Sequence, residues 1–283
     1  MSGLKVIALI SGGKDSLFSI LHCLANGHSV VALANLYPPP SADSTEPEYE
    51  ADDLNSYMYQ TVGHSLIPLY SAALDIPLYR QPILGAAINT DKTYAPPPPT
   101  ATATSPDETE SLLPLLQRIL HDHPSADALS TGAILSTYQR TRIESVAARL
   151  GLVPLSYLWH YTSLPPYAAA ALLRDMAAVG QDARIVKVAS GGLDAGFLWE
   201  NVAEARAVGR LERAMARFGA GGGAVLGEGG ELVWWGGVIG GAWPGGGAAV
   251  MGNGACGESG FEGMGSGSGL GPGRRGFGSE GGR

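Results

Sequence analysis

The sequence predicts an α/β protein: a parallel twisted sheet flanked by helices, a smaller α/β part after it, and a glycine-rich tail. Three observations carry that reading. The apolar run Val6-Ile7-Ala8-Leu9-Ile10 has the length of a buried strand, and Leu17, Ile20, Leu21 and Leu24 then recur at helical spacing. Gly27 is a natural helix stop, and a second apolar run, Ser29 to Leu36, follows it. Strand, helix and strand in so short a span imply a right-handed crossover and parallel pairing, which puts ligand sites at the carboxyl ends of the strands.

The turn between the first strand and the first helix reads Ser11-Gly12-Gly13-Lys14-Asp15-Ser16. Two glycines let the backbone approach a ligand closely, and the first amides of a helix have no internal partner. The helix dipole adds positive character, so a phosphate or pyrophosphate is the natural guest. Lys14 would supply a full charge beside it, Asp15 could hold a magnesium ion, and Ser11 and Ser16 could donate hydroxyls. Lys14 and Asp15 are therefore the catalytic candidates. The motif is not the nucleotide P-loop, because the four-residue spacer before Gly-Lys-Ser/Thr is missing. A plain capped Ser-Gly turn is the alternative. At the end of the second strand, Ala34, Asn35 and Leu36 fall beside this loop, and Tyr37-Pro38-Pro39-Pro40 ends the strand.

Residues 41 to 52 are polar and acidic and read as a surface loop. Asp53 is a good N-cap, and Leu54, Tyr57, Met58, Thr61, Val62, Ser65 and Leu66 would form one face of a helix after it. Gln60 and His64 lie one turn apart on another face, where such a pair is more often solvated or structurally bonded than catalytic. Pro77 to Ile83 supplies a third strand. Residues 89 to 105 carry Pro96 to Pro99 and form a proline-rich loop. Ser105-Pro106-Asp107-Glu108 reads as a capping box opening a helix whose buried face is Leu112, Leu115, Leu116, Ile119 and Leu120, which gives Glu108 a sufficient structural role.

Ala126 to Ser130 is a short strand, and the turn after it, with Thr131 and Gly132, is a second segment on the ligand side of the sheet. Ser136 with Gln139 is another capping box, Ile143, Val146, Ala147 and Leu150 mark its helix, and Gly151 closes it. Arg140, Arg142 and Glu144 stay outside that stripe, and an ordinary surface pair explains Arg140 and Glu144 as well as a functional role does. The aromatic stretch Pro154 to Tyr161 lines a pocket or fills core. A helix over 166 to 179, a strand over 183 to 188 and a helix over 200 to 218 continue the theme. From Gly219 onward lie about two thirds of the 41 glycines, and backbone entropy argues against order there. The GxGxxG match at Gly252 to Gly257 is a compositional accident of that tract.

A length of 283 residues suits one large or two modest domains. The expected division is a nucleotide-binding α/β domain over 1–150, a substrate-side α/β region over 151–235, and a disordered tail over 236–283. The net charge of −8 argues against an extended nucleic-acid surface. Cys23 and Cys256 can form neither a CxxC pair nor a disulfide framework, which fits a reducing compartment. The start of the chain resembles neither a signal peptide nor a membrane span, so a cytoplasmic protein without membrane association is expected.

Taken together, SGGKDS at 11 to 16, ALANLYP at 32 to 38, YQTVGH at 59 to 64, PLYR at 77 to 80, GAILSTYQRTRIE at 132 to 144 and RLGLVPLSYLW at 149 to 159 resemble the diphthine-ammonia ligase family of the PP-loop ATP pyrophosphatase superfamily. The resemblance covers about residues 4 to 231. It implies a PP-loop fold and ATP-dependent amidation of diphthine, a modified histidine of translation elongation factor 2, by ammonium through an acyl-adenylate. It also implies that the loop 11–16 grips ATP with Mg2+, that Ala34 to Leu36 flank the adenine, and that Gln139, Arg140, Arg142 and Glu144, with His64 behind them, belong to the substrate and nucleotide pocket. Glu228 and Glu231, in the string Gly227-Glu228-Gly229-Gly230-Glu231, match a further family motif. There an aromatic, a further glutamate and a threonine usually follow, whereas this chain reads Leu232-Val233-Trp234-Trp235, with Val233 at the carboxylate's place. Two other readings stay open: another PP-loop adenylating enzyme, such as a tRNA-modifying ligase, and an inactive nucleotide-binding protein.

Overall fold

Val6, Ile7 and Ala8 are all fully buried, as a strand covered on both faces requires, and they form the middle of the sheet. The computed structural model describes residues 3–39, 56, 58, 59, 61–96, 106–165, 170–189, 192–217 and 226, together with the backbone of 169 and 232–237. Five strands, β1 (Lys5–Leu9), β2 (Ser29–Tyr37), β3 (Leu78–Pro82), β4 (Ala128–Ser130) and β5 (Val153–Leu155), pair in parallel in the order β3-β2-β1-β4-β5. Pro154, which has no N–H to donate, is tolerated because β5 is an edge strand.

Successive residues of β1 point to opposite faces, and the helices divide accordingly. Ala8 packs with Leu17 and Ile20 of α1 (Lys14–Ala25) and Ile67, Tyr70 and Leu74 of α2 (Ile67–Leu74). Ile7 packs with Leu115, Leu116 and Ile119 of α3 (Leu112–Asp122) and Ile143, Val146 and Ala147 of α4 (Thr137–Arg149). Each buried Leu, Ile or Val among them contributes about 1.5–3 kcal/mol. Helices on both faces of a parallel sheet make the doubly wound α/β architecture the sequence predicts.

The later elements are α5 (Ala169–Ala178), β6 (Asp182–Val188), α6 (Ala205–Ala216) and β7 (Leu232–Gly237). β6 and β7 pair antiparallel, from Asp182 opposite Gly237 to Val188 opposite Leu232. Leu172, Leu173 and Met176 of α5, Ile185 of β6 and Leu211 and Met215 of α6 form a core that takes in Phe18 of α1 and Ile134. This second core is thus built directly onto the first helix.

Several expectations are corrected. The helix expected from Asp53 is not continuous through 61 to 66: residues 62 and 63 turn, Gly63 is left-handed at φ 72°, His64–Leu66 is a 3₁₀ turn, and the α-helix begins at Ile67 with Pro68 in its first turn. Asp53, Leu54, Tyr57 and Gln60 lie outside the described residues, as does Ser105. The cap expected at Ser105 is at Asp107, whose side chain accepts the Thr109 N–H at 3.0 Å and leads a 3₁₀ turn, Glu108–Ser111, into α3. Order was not expected after Gly219, yet β7 forms and Leu226 is buried in the second core. Arg142, placed outside the apolar stripe, is fully buried.

Candidate functional site

With β1 at the centre, the chain leaves in opposite directions after β1 and β4, and a crevice opens between the carboxyl ends of those strands. A cavity of about 240 Å³ lies there. Its walls come from Ser11, Asp15 and Ser16 after β1, Ala34, Asn35 and Leu36 of β2, Thr131 to Ile134 after β4, Gln139 and Ile143 of α4, and Met58, Tyr59, Leu112 and Leu226.

The loop after β1 is closed on itself. Gly12 takes φ 81°, Gly13 is the N-cap of α1, and the Ser16 hydroxyl donates to the Gly13 carbonyl at 2.9 Å while accepting the Ser11 N–H at 3.3 Å. Tyr70 donates its hydroxyl to the Gly12 carbonyl at 2.9 Å, and burial pushes its phenol up, so it stays a donor. The start of α1, with Asp15 and Ser16, is thereby held at the cavity.

Gly132 shows how closely the second turn approaches. A Cβ on it would lie 2.6 Å from the Ser16 nitrogen and 2.7 Å from the Asp15 carbonyl carbon. Ser19 fastens the same junction, sharing a 2.9 Å hydrogen bond with Ser130 and donating to the Thr131 carbonyl at 3.0 Å.

On β2 the peptide groups of alternate residues face β1. Ala34 offers its carbonyl to the Ile10 N–H at 2.9 Å, and Leu36, two residues on, lies beyond the end of β1 with its N–H and C=O directed over the cavity. The Asn35 side chain is committed elsewhere: it donates to the Ile10 carbonyl at 2.9 Å and accepts from Arg80 Nε at 3.0 Å.

Lys14 is fully buried beside the loop, its ammonium 2.8 Å from Asp15 Oδ2 and 3.1 Å from the Leu226 carbonyl, and Gln181 fixes its backbone carbonyl at 2.9 Å. Asp15, not Lys14, faces the cavity. Burial raises the Asp15 carboxyl above its ordinary value, with Lys14 opposing the shift. One carboxylate, completed by phosphate oxygens and water, suits magnesium, and among the described residues no group of three His, Cys, Asp or Glu gathers to hold a metal.

The remaining sequence-predicted residues separate. Gln139 lines the cavity, its N–H cap supplied by Ser136 at 3.3 Å and its own amide donated to the Met58 carbonyl at 3.3 Å. Arg140 and Glu144 form a half-exposed pair at 2.5 Å, with Arg140 stacked 4.0 Å from the Trp159 ring, outside the cavity lining. Arg142 lies against the Tyr138 ring at 3.3 Å and donates to the carbonyls of Asn89, Asp91 and Tyr138, tying the 89–91 segment to α4. His64 stands behind the β2 wall, stacked on Tyr37 and bonded through its carbonyl to Arg80 at 3.0 Å. Glu228 and Glu231 lie outside the described residues.

Sequence reasoning missed Tyr70, Gln181 and Leu226. Tyr70 and Gln181 act on backbone carbonyls of the loop, a role with no spacing signature, and Leu226 stands in the glycine tract. Met58, Leu112 and Ile143 were read as helix faces and Tyr59 only as part of the YQTVGH segment, and all four are cavity wall.

No family model matches the chain. A fission-yeast protein (Schizosaccharomyces pombe) named diphthine-ammonia ligase is 47% identical over 201 residues, covering 71% of this chain and 30% of that protein. A zebrafish (Danio rerio) protein of the same name is 46% identical over 190 residues, 67% of this chain and 66% of its own, and the human protein is 44% identical over 191 residues, 68% and 64%. The chain belongs to the diphthine-ammonia ligase family. It spans a little under two thirds of the vertebrate relatives and less than a third of the fission-yeast one. The SGGKDS turn, the end of β2 and the turn at Gly132, segments on which the sequence resemblance rests, come together at one crevice.

Proposed function

We propose that this chain is an ATP-dependent ligase that converts the carboxylate of diphthine, carried on translation elongation factor 2, to an amide with ammonium, releasing AMP and pyrophosphate. The observation that supports it most is the convergence of Ser11, Asp15 and Ser16 of the SGGKDS turn, Leu36 at the end of β2 and the Gly132 cradle on one cavity at the switch point of the sheet. The family name of the relatives supplies the acceptor and the nitrogen source.

In this reading the adenine meets the Leu36 N–H and C=O, and the phosphates meet the amides at the start of α1. A carboxylate oxygen of diphthine attacks the α-phosphorus and pyrophosphate leaves. Ammonia then attacks the acyl carbon, loses a proton, and AMP departs with the oxygen that began on the carboxylate. The loop amides, and Lys14 once turned from Asp15 toward the phosphates, would stabilise the charge that develops on pyrophosphate, and Asp15 would hold Mg2+ beside it. Gln139 and the residues 151–235 would form the side that receives the protein substrate, with Glu228 and Glu231. The protein is expected to work in the cytoplasm and without nucleic acid.

Oxygen-18 placed in the diphthine carboxylate tests the route. One label per turnover should appear in AMP, and Lys14→Ala should abolish turnover. Unlabelled AMP, label found in orthophosphate with ADP as the other product, or full activity of the Lys14 variant would reject it.

A further inference from the structure

Met58 and Tyr59 line the cavity but belong to no helix or strand, so something else must hold their backbone. Ser56 does. Its hydroxyl oxygen accepts the Met58 N–H at 3.0 Å and the Tyr59 N–H at 2.9 Å. A hydroxyl has two acceptor sites and one hydrogen, and with both sites filled the hydrogen needs an acceptor of its own. Glu108 Oε2 provides it, at 2.8 Å.

Glu108 is only 1% exposed, and burying a carboxyl is unfavourable unless it does something the fold needs. Its helix does not need it, because Asp107 is the cap. Its other oxygen, Oε1, has no hydrogen-bond partner among the described residues. Burial raises its pKa, with the Ser56 hydroxyl opposing, and either protonation state can still accept at Oε2. The Tyr59 hydroxyl returns to the same residue, donating to the Glu108 carbonyl at 3.4 Å, and Gln139 holds the Met58 carbonyl from α4.

We propose that Glu108 is a positioning residue of the cavity: through Ser56 it sets the Met58–Tyr59 wall against which the ligand packs. The proposal rests on the nucleotide reading of the cavity for its effect on binding, though not for its effect on the wall. What Glu108 supplies is an acceptor oxygen, not a charge. Glu108→Gln keeps that oxygen, Glu108→Leu removes it at similar volume, and Ser56→Ala removes the hydroxyl between.

The test measures two quantities on the full chain: hydrogen exchange of the Met58 and Tyr59 amides, and ATP affinity by calorimetry. Glu108→Leu and Ser56→Ala should each speed exchange at those two amides and weaken ATP binding by about tenfold, while Glu108→Gln stays within about twofold of the parent. Normal exchange in both Glu108→Leu and Ser56→Ala, or a Glu108→Gln variant as impaired as Glu108→Leu, overturns the proposal. If the parent chain itself binds no ATP, the nucleotide reading falls, and exchange alone still decides whether Glu108 holds the wall. Should Glu108→Leu fail to fold, the contrast between Ser56→Ala and Glu108→Gln carries the same decision.

Discussion

Gly132 is the residue on which the cavity's geometry presses hardest, because the atoms a Cβ would meet are main chain and cannot rotate away. Gly132→Ala should push the Thr131-Gly132 turn off the loop, destabilise the protein by about 1–3 kcal/mol in urea melts, and weaken ATP binding at least about tenfold. Arg142 makes a different case. Its guanidinium is buried among carbonyls and rings, with Asp107 close enough to feel its charge, so Arg142→Ala should cost about 3–5 kcal/mol. Arg140→Ala and Glu144→Ala, on a solvated pair, should stay within about 1 kcal/mol in the same melts. Asp15 gives a pH signature of opposite sign in two measurements. Folding raises its carboxyl, so its stabilising contribution is complete below the unfolded value and lost as pH rises through the folded one. Urea midpoints should therefore step down with rising pH above the ordinary aspartate value, and Asp15→Asn should flatten that step. Magnesium-dependent ATP binding should instead fade as pH falls through the same step, because only the ionised carboxylate is a ligand.

At the scale of elements, hydrophobic period made most of the fold legible. The α3 face Leu112, Leu115, Leu116 and Ile119 and the α4 face Ile143, Val146 and Ala147 are buried as their spacing requires. The Ser136 cap is also where its motif puts it, and Ser136→Ala should cost about 1 kcal/mol and loosen the start of α4, read as faster amide exchange there. Periodicity failed where a backbone feature overrode it. Met58 and Thr61 are buried as a helical face would be, but the chain turns at residues 62 and 63, with Gly63 left-handed, and the α-helix begins only at Ile67. Ser105 lies outside the described residues, and the cap that is described is Asp107, whose second oxygen also accepts the Ile88 and Asn89 amides and so ties the cap to a neighbouring loop. β7 was hidden by its glycines. Its pairing comes from the ladder with β6, a long-range gain that composition does not carry.

At the scale of the molecule, the strand order could not be read because parallel pairing joins segments far apart in sequence. β1 sits between β2 and β4, with Val6 opposite both Val30 and Ala128. That order creates the switch point, and the switch point selects which motifs meet. SGGKDS, Ala34 to Leu36, Thr131-Gly132 and Gln139 do meet, whereas Arg142, His64 and the Arg140–Glu144 pair stand behind or beside the cavity. The motifs thus told which chemistry to look for, and the topology told which residues share it. The central claim is that this chain, as it stands, couples ATP cleavage at the α-phosphate to amide formation. Incubating the purified chain with ATP, Mg2+, ammonium and elongation factor 2 carrying diphthine, and counting AMP against diphthamide by mass spectrometry, tests it most directly. The account predicts one AMP for each amide and none without ammonium-accepting diphthine; ATP bound with no AMP formed, or ADP in its place, would contradict it.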